Sequence, residues 1–341
     1  MAQEATGFIY HGYNLELDPS IKDGATTPES TLWTRFRDSV TGKPANRSFH
    51  EYDRGSEYFM PNDMVSLAMC LVAEPWVNGA TDLQHDISLL VLDGKLGKAP
   101  VKDPRHALDV GTGTGIWALQ FAQQNPNCQV IGSDLSAIQK QHGESNLSFV
   151  QQDAESEEWN FTHKFDYIHL RFIVTCFNDT KSVIQKAFDN LEPGGWIEFY
   201  DVTPDLVRVD DTFSGTAYEQ WAQTFGRAGQ ILGRDFAKAT KYPQWCREAG
   251  FVEVAEEHFP LPSNPYWPKD PKFKQIGQLQ MLNQLALVDS LGKFLAIAGL
   301  SKDQITELEA QAKLDIQSPK IHFCMHLCIT YARKPFLGEK V

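Results

Sequence analysis

The segment Asp109-Val110-Gly111-Thr112-Gly113-Thr114-Gly115 is where this sequence offers the clearest chemistry. It follows the apolar run HALDV and opens the helical pattern GIWALQFAQQN, the setting in which a glycine-rich loop binds a nucleotide. Glycines at alternate positions let the backbone turn tightly and approach a ligand, because none of them carries a Cβ. The spacing is GxGxG, so the third glycine of the dinucleotide pattern GxGxxG falls on Ile116 and is absent. A nucleoside without phosphates therefore suits the loop better than a pyrophosphate. Asp134 ends the next apolar run, just before Leu135 and about 20 residues past the loop, where a carboxylate accepts both hydroxyls of a ribose. Charged hydrogen bonds of this kind contribute roughly 1.5–3 kcal/mol each. In VQQDAE, after the third run, Asp153 and the amide of Ala154 can address the amino group and ring nitrogen of an adenine. Together these residues can read an adenosine. Asp109, just before the loop, can hydrogen-bond the loop amides or receive a cofactor ammonium through water.

A second constellation is the run His322, Cys324, His326 and Cys328, four metal-ligating types on one face of a strand. Successive same-face residues of a strand stand nearly 7 Å apart, so one strand cannot wrap all four around an ion. The run is read as a buried core strand, with no metal site.

Elements that would position these groups follow from the patterning. Residues 1–48 are polar and rich in Gly, Pro and Thr, with isolated aromatics (Tyr10, Tyr13, Trp33, Phe36) and no sustained period, and are read as an N-terminal arm. Residues 49–100 are expected to form a helical lid, in which Leu83, Ile87, Leu90 and Val91 make an apolar stripe ending at Gly94. From 101 to 341 short apolar runs alternate with helical patterns: HALDV, GIWALQFAQQN, CQVIGSDLS, LSFVQQDAE, FDYIHLRFIV, a helix through Val183, Ala187 and Leu191, then GGWIEFYDV. That alternation predicts a doubly wound α/β domain with a parallel sheet. Beyond it come the helix YPQWCREAG, the strand FVEVAEEHF, the helix KDQITELEAQAKLDI and a final strand IHFCMHLCITY, with cap segments near 203–245 and 260–300.

Composition narrows the classes. With 42% hydrophobic and 22% charged residues, most of the 341-residue chain can bury a core. A formal charge of −13 and no Lys/Arg stripe disfavour direct contact with nucleic acid. No run approaches the roughly 20 apolar residues that span a bilayer, and the start lacks a signal-peptide pattern, so the expectation is a soluble cytoplasmic protein. The six cysteines have neither a disulfide framework nor a CxxC pair and read as reduced thiols.

With these residues assembled, the chain resembles class I S-adenosylmethionine (SAM)-dependent methyltransferases, and in particular the fungal LaeA-like group associated with secondary metabolism. The resemblance covers roughly residues 48–336 and runs through EYDRGSEYFMPND, DLQHDISLLVLDGKL, ALDVGTGTGIWALQFA, VIGSDLS, FDYIHLR, LEPGGWIEF, PYWPKDPKFKQIGQ and SPKIHFCMHLCITYARKP. It implies a Rossmann-like, mostly parallel seven-stranded sheet with a helical N-terminal lid and cap insertions, and SAM as cofactor. By the same resemblance Gly111, Gly113 and Gly115 contact the methionine part, Asp134 the ribose, and Asp153 with Ala154 the adenine, with Asp109, Thr112 and Leu135 also among the cofactor-binding residues. Tyr52 and Arg54 close over the amino-acid end, Arg54 pairing with its carboxylate or standing as a surface arginine. After Pro61-Asn62-Asp63 the stretch MVSLAMCLVAEPWVNGAT departs from the group, which is more acidic and helical there.

Methyl transfer from a sulfonium is an in-line displacement, and a base is needed only where the acceptor carries a proton. His169, at the end of FDYIHLR, is the candidate base, or else a histidine that hydrogen-bonds its neighbours. Arg171 can hold an acidic acceptor or pair with Asp166. Tyr218, Trp221, Trp267 and Met281, in the cap segments, can wall a flat or greasy substrate. Three functions follow as alternatives: a small-molecule methyltransferase acting on O, N or S; a LaeA-like regulator working through protein partners, which would place it in the nucleus; and a SAM-binding cyclase that transfers no methyl group.

Overall fold

The computed structural model describes residues 8–19, 83–139 and 143–339. Tyr52, Arg54, most of the N-terminal arm, the first part of the lid and the departing stretch after Asp63 lie outside the described residues.

The apolar runs become strands β3 (His106–Val110), β4 (Gln129–Asp134), β5 (Leu147–Gln151), β6 (Phe165–Arg171), β7 (Leu191–Arg208), β8 (Val252–Pro262) and β9 (Phe323–Arg333). They form one seven-stranded sheet in the order β5-β4-β3-β6-β7-β9-β8. The pairings β4–β5, β3–β4, β3–β6 and β6–β7 are parallel, and only β9 runs against its two neighbours. This is the expected Rossmann-like, class I methyltransferase fold. The chain lays β4 and β5 to one side of β3 and then β6 and β7 to the other, so the strand order reverses between β3 and β6. Crevices at such a reversal, beyond the carboxyl ends of the strands, are where doubly wound sheets bind ligands.

Two boundaries differ from the sequence reading for local reasons. The helix read through Leu191 stops at Asn190, because Leu191 is already extended (φ −83°, ψ 146°) and Pro193 and Gly194 follow. β7 therefore starts at Leu191 and is 18 residues long, with a bulge opposite β9 between Thr203 and Val207. β8 continues through Pro260 and Pro262, which an edge strand tolerates because its outer N–H row needs no ladder partner.

Helices cover both faces. The lid helix α1 (Leu83–Val91) buries Leu83, Ile87 and Val91 against Tyr200, Leu261 and Leu327 of the sheet. Helix α2 (Ile116–Gln124) follows the glycine loop, α3 (Thr180–Asn190) precedes β7, α4 (Ala217–Ile231) follows it, and α5 (Tyr242–Glu248) leads into β8. After β8 come α6 (Pro271–Ser290), α7 (Gly292–Ile297) and α8 (Lys302–Gln317). α4, α6, α7 and α8 share one apolar cluster, with Trp221, Met281, Leu285, Phe294, Leu308 and Ile316 buried in it. The helix over 302–317 thus packs with the segments near 203–245 and 260–300. No helix among the described residues is long and apolar enough to cross a membrane, and the five described cysteines form no disulfide.

The arm contains structure that its lack of periodicity hid. β1 (Phe8–Tyr10) and β2 (Tyr13–Leu15) pair across a two-residue turn at His11 and Gly12, both left-handed (φ +44° and +86°), as in a hairpin turn whose twist matches its strands. Leu15 is buried beside Trp267 and Cys324, and Glu16 and Asp18 pair with Lys269 and Lys274, fixing the arm to the start of α6.

The lid is tied to the sheet by Glu198 of β7, fully buried, whose carboxylate accepts from the amides of Lys98 (3.0 and 2.9 Å) and Ala99 (2.7 Å) and from the Tyr167 hydroxyl (3.0 Å). Burial raises its pKa, while these donors oppose the rise. Glu198→Ala would leave three donors without their acceptor, the half-buried amides of Lys98 and Ala99 and the buried Tyr167 hydroxyl, at a cost of about 1–3 kcal/mol for each that water does not reach. Denaturant unfolding is expected to show a loss of several kcal/mol; a loss below 1 kcal/mol would contradict this anchoring.

Candidate functional site

The glycine loop runs from the end of β3 into α2, its amides at Gly111 and Thr112 donating to the Ser133 carbonyl of β4 (2.8 and 3.0 Å). Gly111, Gly113 and Gly115 all have left-handed φ (70°, 57° and 82°), so the chain conformation itself requires glycine at these positions. A Cβ at Gly115 would also lie 2.5 Å from the Phe149 ring of β5, so the close approach at this glycine is to protein. Asp109 accepts from the Thr112 hydroxyl (2.6 Å) and pairs with His169 Nδ1 (2.8 Å), spending its carboxylate on the loop.

Asp134 stands half-buried at the mouth of the loop. One of its oxygens accepts from the Gly113 amide (2.9 Å), and the other from the Ser136 amide and hydroxyl (both 3.0 Å). A carboxylate has about four acceptor positions, so capacity remains for a ligand hydroxyl. Leu135 follows it and its carbonyl accepts from Gln151 (2.9 Å). Asp153 lies beside this corner, where the Gln152 amide donates to the Asp134 carbonyl (2.8 Å). Its own carboxylate caps the turn that follows, accepting from the amides of Glu155 and Ser156 and from the Ser156 hydroxyl. The Ala154 carbonyl accepts from Trp159 Nε1 (3.0 Å). Asp153 and Ala154, the residues expected on the adenine side, thus stand next to Asp134, with the acid largely engaged in shaping the turn.

His169 lies inside β6, not at its open end, and is 1% exposed. Its ring stacks flat on Trp117 of α2 at 3.8 Å while Nδ1 meets Asp109. This burial is the physical reason to read it as a support of the loop rather than as a base reaching an acceptor. Arg171 does not pair with Asp166, whose carboxylate accepts from the amides of Arg105 and His106. Arg171 instead donates to His85 Nδ1 (3.0 Å) and Ser88 (3.4 Å), joining β6 to α1. Burial and the adjacent guanidinium push His85 down to about 3, so its ring is neutral and can accept that bond.

A cavity of about 150 Å³ opens between the carboxyl end of the sheet and the cap, lined mainly by apolar groups including Phe172, Trp221, Phe225, Phe236, Leu287 and Met325. Of the residues expected to wall a substrate, Tyr218 and Trp221 line it. Trp267 does not: it is packed against Leu15 and Cys324, with Nε1 donating to Ser263 (3.1 Å). Met281 is likewise spent in the core of the cap. Segment 172–175 separates the cavity from the glycine loop: Ile173 faces Gly111, whose added Cβ would be 3.4 Å away, while Phe172, Val174 and Thr175 line the cavity. Phe172 holds a left-handed backbone (φ +54°), a strain a bulky side chain rarely accepts and one concentrated at functional sites.

Sequence reasoning missed Asp201. It ends the apolar run WIEFYD of β7, lines the cavity, and is fully buried, with Oδ2 accepting from the Tyr242 hydroxyl (3.0 Å) and Oδ1 from the Val202 amide (3.1 Å). Burial pushes its pKa up to about 7, against the pull of Tyr242 and Lys238. The signal was available: an acid closing an apolar run on the ligand side of the sheet, much as Asp134 closes β4. Two further polar groups on the cavity wall, Trp221 Nε1 and Thr203 Oγ1, have no hydrogen-bond partner among the described residues.

Residues 83–256 match a family model described as a methyltransferase domain. The methyltransferase pytC of Aspergillus terreus is 29% identical over 296 residues, covering 85% of this chain and 87% of that protein. The probable methyltransferase tdiE of Emericella nidulans is 30% identical over 258 residues (74% and 80%), and the secondary metabolism regulator LAE1 of Cochliobolus heterostrophus 31% over 268 residues (74% and 86%). Among solved structures, phosphoethanolamine N-methyltransferase 2 of Haemonchus contortus superposes with a TM-score of 0.46 at 18% identity, over 80% of this chain and 57% of that one. From the glycine loop, the strand order and these relatives together, the chain belongs to the methyltransferase-domain family, in its fungal LaeA-like group.

Proposed function

We propose that this protein transfers a methyl group from SAM to an oxygen, nitrogen or sulfur of an apolar, ring-bearing small molecule held in the cap cavity. The observation that carries this reading is Asp201, a buried carboxylate on the wall of an apolar cavity that one short segment divides from the glycine loop. The residues at the loop suit SAM: left-handed glycines, and a half-exposed acid at the mouth with acceptor positions to spare. Bound there, SAM supplies an electrophilic methyl on a sulfonium. Asp134 holds the ribose hydroxyls, and Asp109 and His169 keep the loop in shape. Asp201 takes up the acceptor's proton, Trp221 Nε1 donates to an acceptor oxygen or nitrogen, and the aromatic walls exclude water.

Cavity volume sets the scale of the acceptor. About 150 Å³ accommodates a single benzene-sized ring. A ring carrying a hydroxyl, amine or thiol therefore fits, with the rest of the molecule extending to the cavity mouth. Tested on a panel with isotope-labelled methyl donor, phenols and indoles are expected to take the label, and Trp221→Ala to raise their KM about tenfold. Equal turnover of small charged amines with no aromatic part would contradict the assignment.

The 31% identity to a protein named as a secondary metabolism regulator favours a second reading, in which SAM is bound and the output passes through protein partners. An inert acceptor panel with intact SAM binding and a co-purifying nuclear partner would select it.

A further inference from the structure

One cluster of side chains lies outside the loop and the cavity and has no part in methyl transfer as derived above. It stands where β8 and β9 meet the N-terminal hairpin. His258 of β8 and Cys328 of β9 are directly opposite in register, and His326 precedes Cys328 by two residues on the same face. The ring nitrogens His258 Nδ1 and His326 Nε2 are 2.8 Å apart, and Cys328 Sγ is 3.4 Å from the first and 3.3 Å from the second. His11, at the hairpin turn, stacks on His258 at 4.2 Å and offers a ring nitrogen within 4.8 Å of the other two histidines.

We propose that His11, His258, His326 and Cys328 form a binding site for a divalent transition metal, zinc in the first instance, which clasps the N-terminal hairpin to the edge of the sheet.

The ligand set is three imidazoles and a thiol, the soft nitrogen and sulfur donors that zinc prefers. A tetrahedral Zn²⁺, with Zn–N of about 2.0–2.1 Å and Zn–S of about 2.3 Å, sets its ligand atoms about 3.3–3.6 Å apart. The two sulfur–nitrogen separations already match, and the two nitrogens need to part by about half an ångström. Glu256 supplies an outer partner, its Oε2 lying 3.4 Å from His258 Nε2. A carboxylate on the far nitrogen holds the proton there and leaves Nδ1 as the lone-pair donor, the arrangement that supports most metal-bound histidines. His11 is exposed, and a rotation of its side chain completes the set.

The proposal departs from the reading of the final strand as core with no metal site. A single strand does not wrap four ligands, and indeed Cys324 packs beside Trp267 while His322 bonds Asp210 (2.6 Å) and the Pro319 carbonyl. The other two residues, His326 and Cys328, are joined by donors from β8 and the hairpin turn, which a one-strand argument leaves out. Binding releases the Cys328 thiol proton to solvent and forms a metal–thiolate bond, with no change of oxidation state. An ion here ties residue 11 to residues 258, 326 and 328, so its expected role is to hold the hairpin turn against the face of β8 and β9 on which Tyr10 and His11 already rest.

The test uses the full-length protein, stripped with a chelator and titrated with Zn²⁺ against a chromophoric competitor, then with Co²⁺. About one ion per chain is expected, with a thiolate-to-cobalt charge-transfer band and a thermal midpoint that rises with Zn²⁺. Cys328→Ser should remove the band and the Zn²⁺-dependent rise. His11→Asn, a residue suited to the left-handed turn, should weaken binding by roughly tenfold or more while leaving the midpoint of the stripped protein unchanged. Unchanged SAM affinity in both variants reports that they fold. Absence of Zn²⁺ binding, or binding that neither substitution affects, would overturn the proposal and leave His258 and His326 as a simple hydrogen-bonded pair.

Discussion

Asp201→Asn is expected to lower kcat by about 10²–10⁴-fold, the range a positioned base contributes, with little change in KM for the acceptor. Asparagine keeps the size of the side chain and an oxygen to accept from Tyr242, so the cavity wall should survive. What is lost is a group able to hold the acceptor's proton. The pH profile sharpens the test. Asp201 faces Tyr242 of α5, Lys238 of the preceding turn and its register neighbour Cys328 of β9, and burial outweighs the favourable pull of Tyr242 and Lys238 to push it up to about 7. The base form therefore grows as pH rises, and wild-type kcat should climb through about pH 7 and then level. Stability moves the other way. A carboxyl that binds its proton more tightly when folded stabilises the protein fully below its unfolded pKa, near 4, and that contribution is lost as pH rises through about 7. Asp201→Asn should abolish the climb in kcat and flatten the fall in stability together; a profile that keeps the climb would remove Asp201 from the reaction.

Asp134→Ala is expected to weaken SAM binding at least a hundredfold. Two charged hydrogen bonds to a ribose, at about 1.5–3 kcal/mol each, account for that much, since 1.4 kcal/mol is a factor of ten. The variant also releases the Gly113 amide and the Ser136 hydroxyl, which now converge on this carboxylate, so the loop itself loses a support. Calorimetric titration with SAM measures the loss. An unchanged thermal midpoint would show that the fold is intact, and unchanged affinity would remove the pocket from residues 109–134.

The glycine loop and Asp134 were legible in the sequence because both depend on chain-local features: three glycines that must turn, and an acid at the end of the adjacent strand. The strand and helix alternation was legible for the same reason, and with it the mostly parallel sheet, whereas the strand order came from the structure. Asp201 carried a local signal, an acid closing an apolar run, but its environment and that of the proposed metal-binding set come from register and long-range contacts. Asp201 acquires its environment from Tyr242, some 40 residues on, and His258 meets Cys328 only when β8 pairs with β9. For His169 the sequence left two readings open, a base or a histidine that hydrogen-bonds its neighbours, and its bond to Asp109 and the Trp117 ring stacked on it, from a different element, favour the second. Trp267 and Met281 were placed in the right segments and the wrong environment, since a segment that builds a cap also has to fill that cap's own core.

The central claim is that the loop and the cavity act together in methyl transfer. It is tested most directly by a single turnover of the full-length protein with methyl-labelled SAM and a fungal metabolite extract, both products being quantified by mass spectrometry. The account predicts one labelled methyl on an apolar, ring-bearing product for each S-adenosylhomocysteine released, in wild type and not in Asp201→Asn. SAM that binds to the loop yet yields no S-adenosylhomocysteine, while product forms or a partner protein is captured, would contradict it.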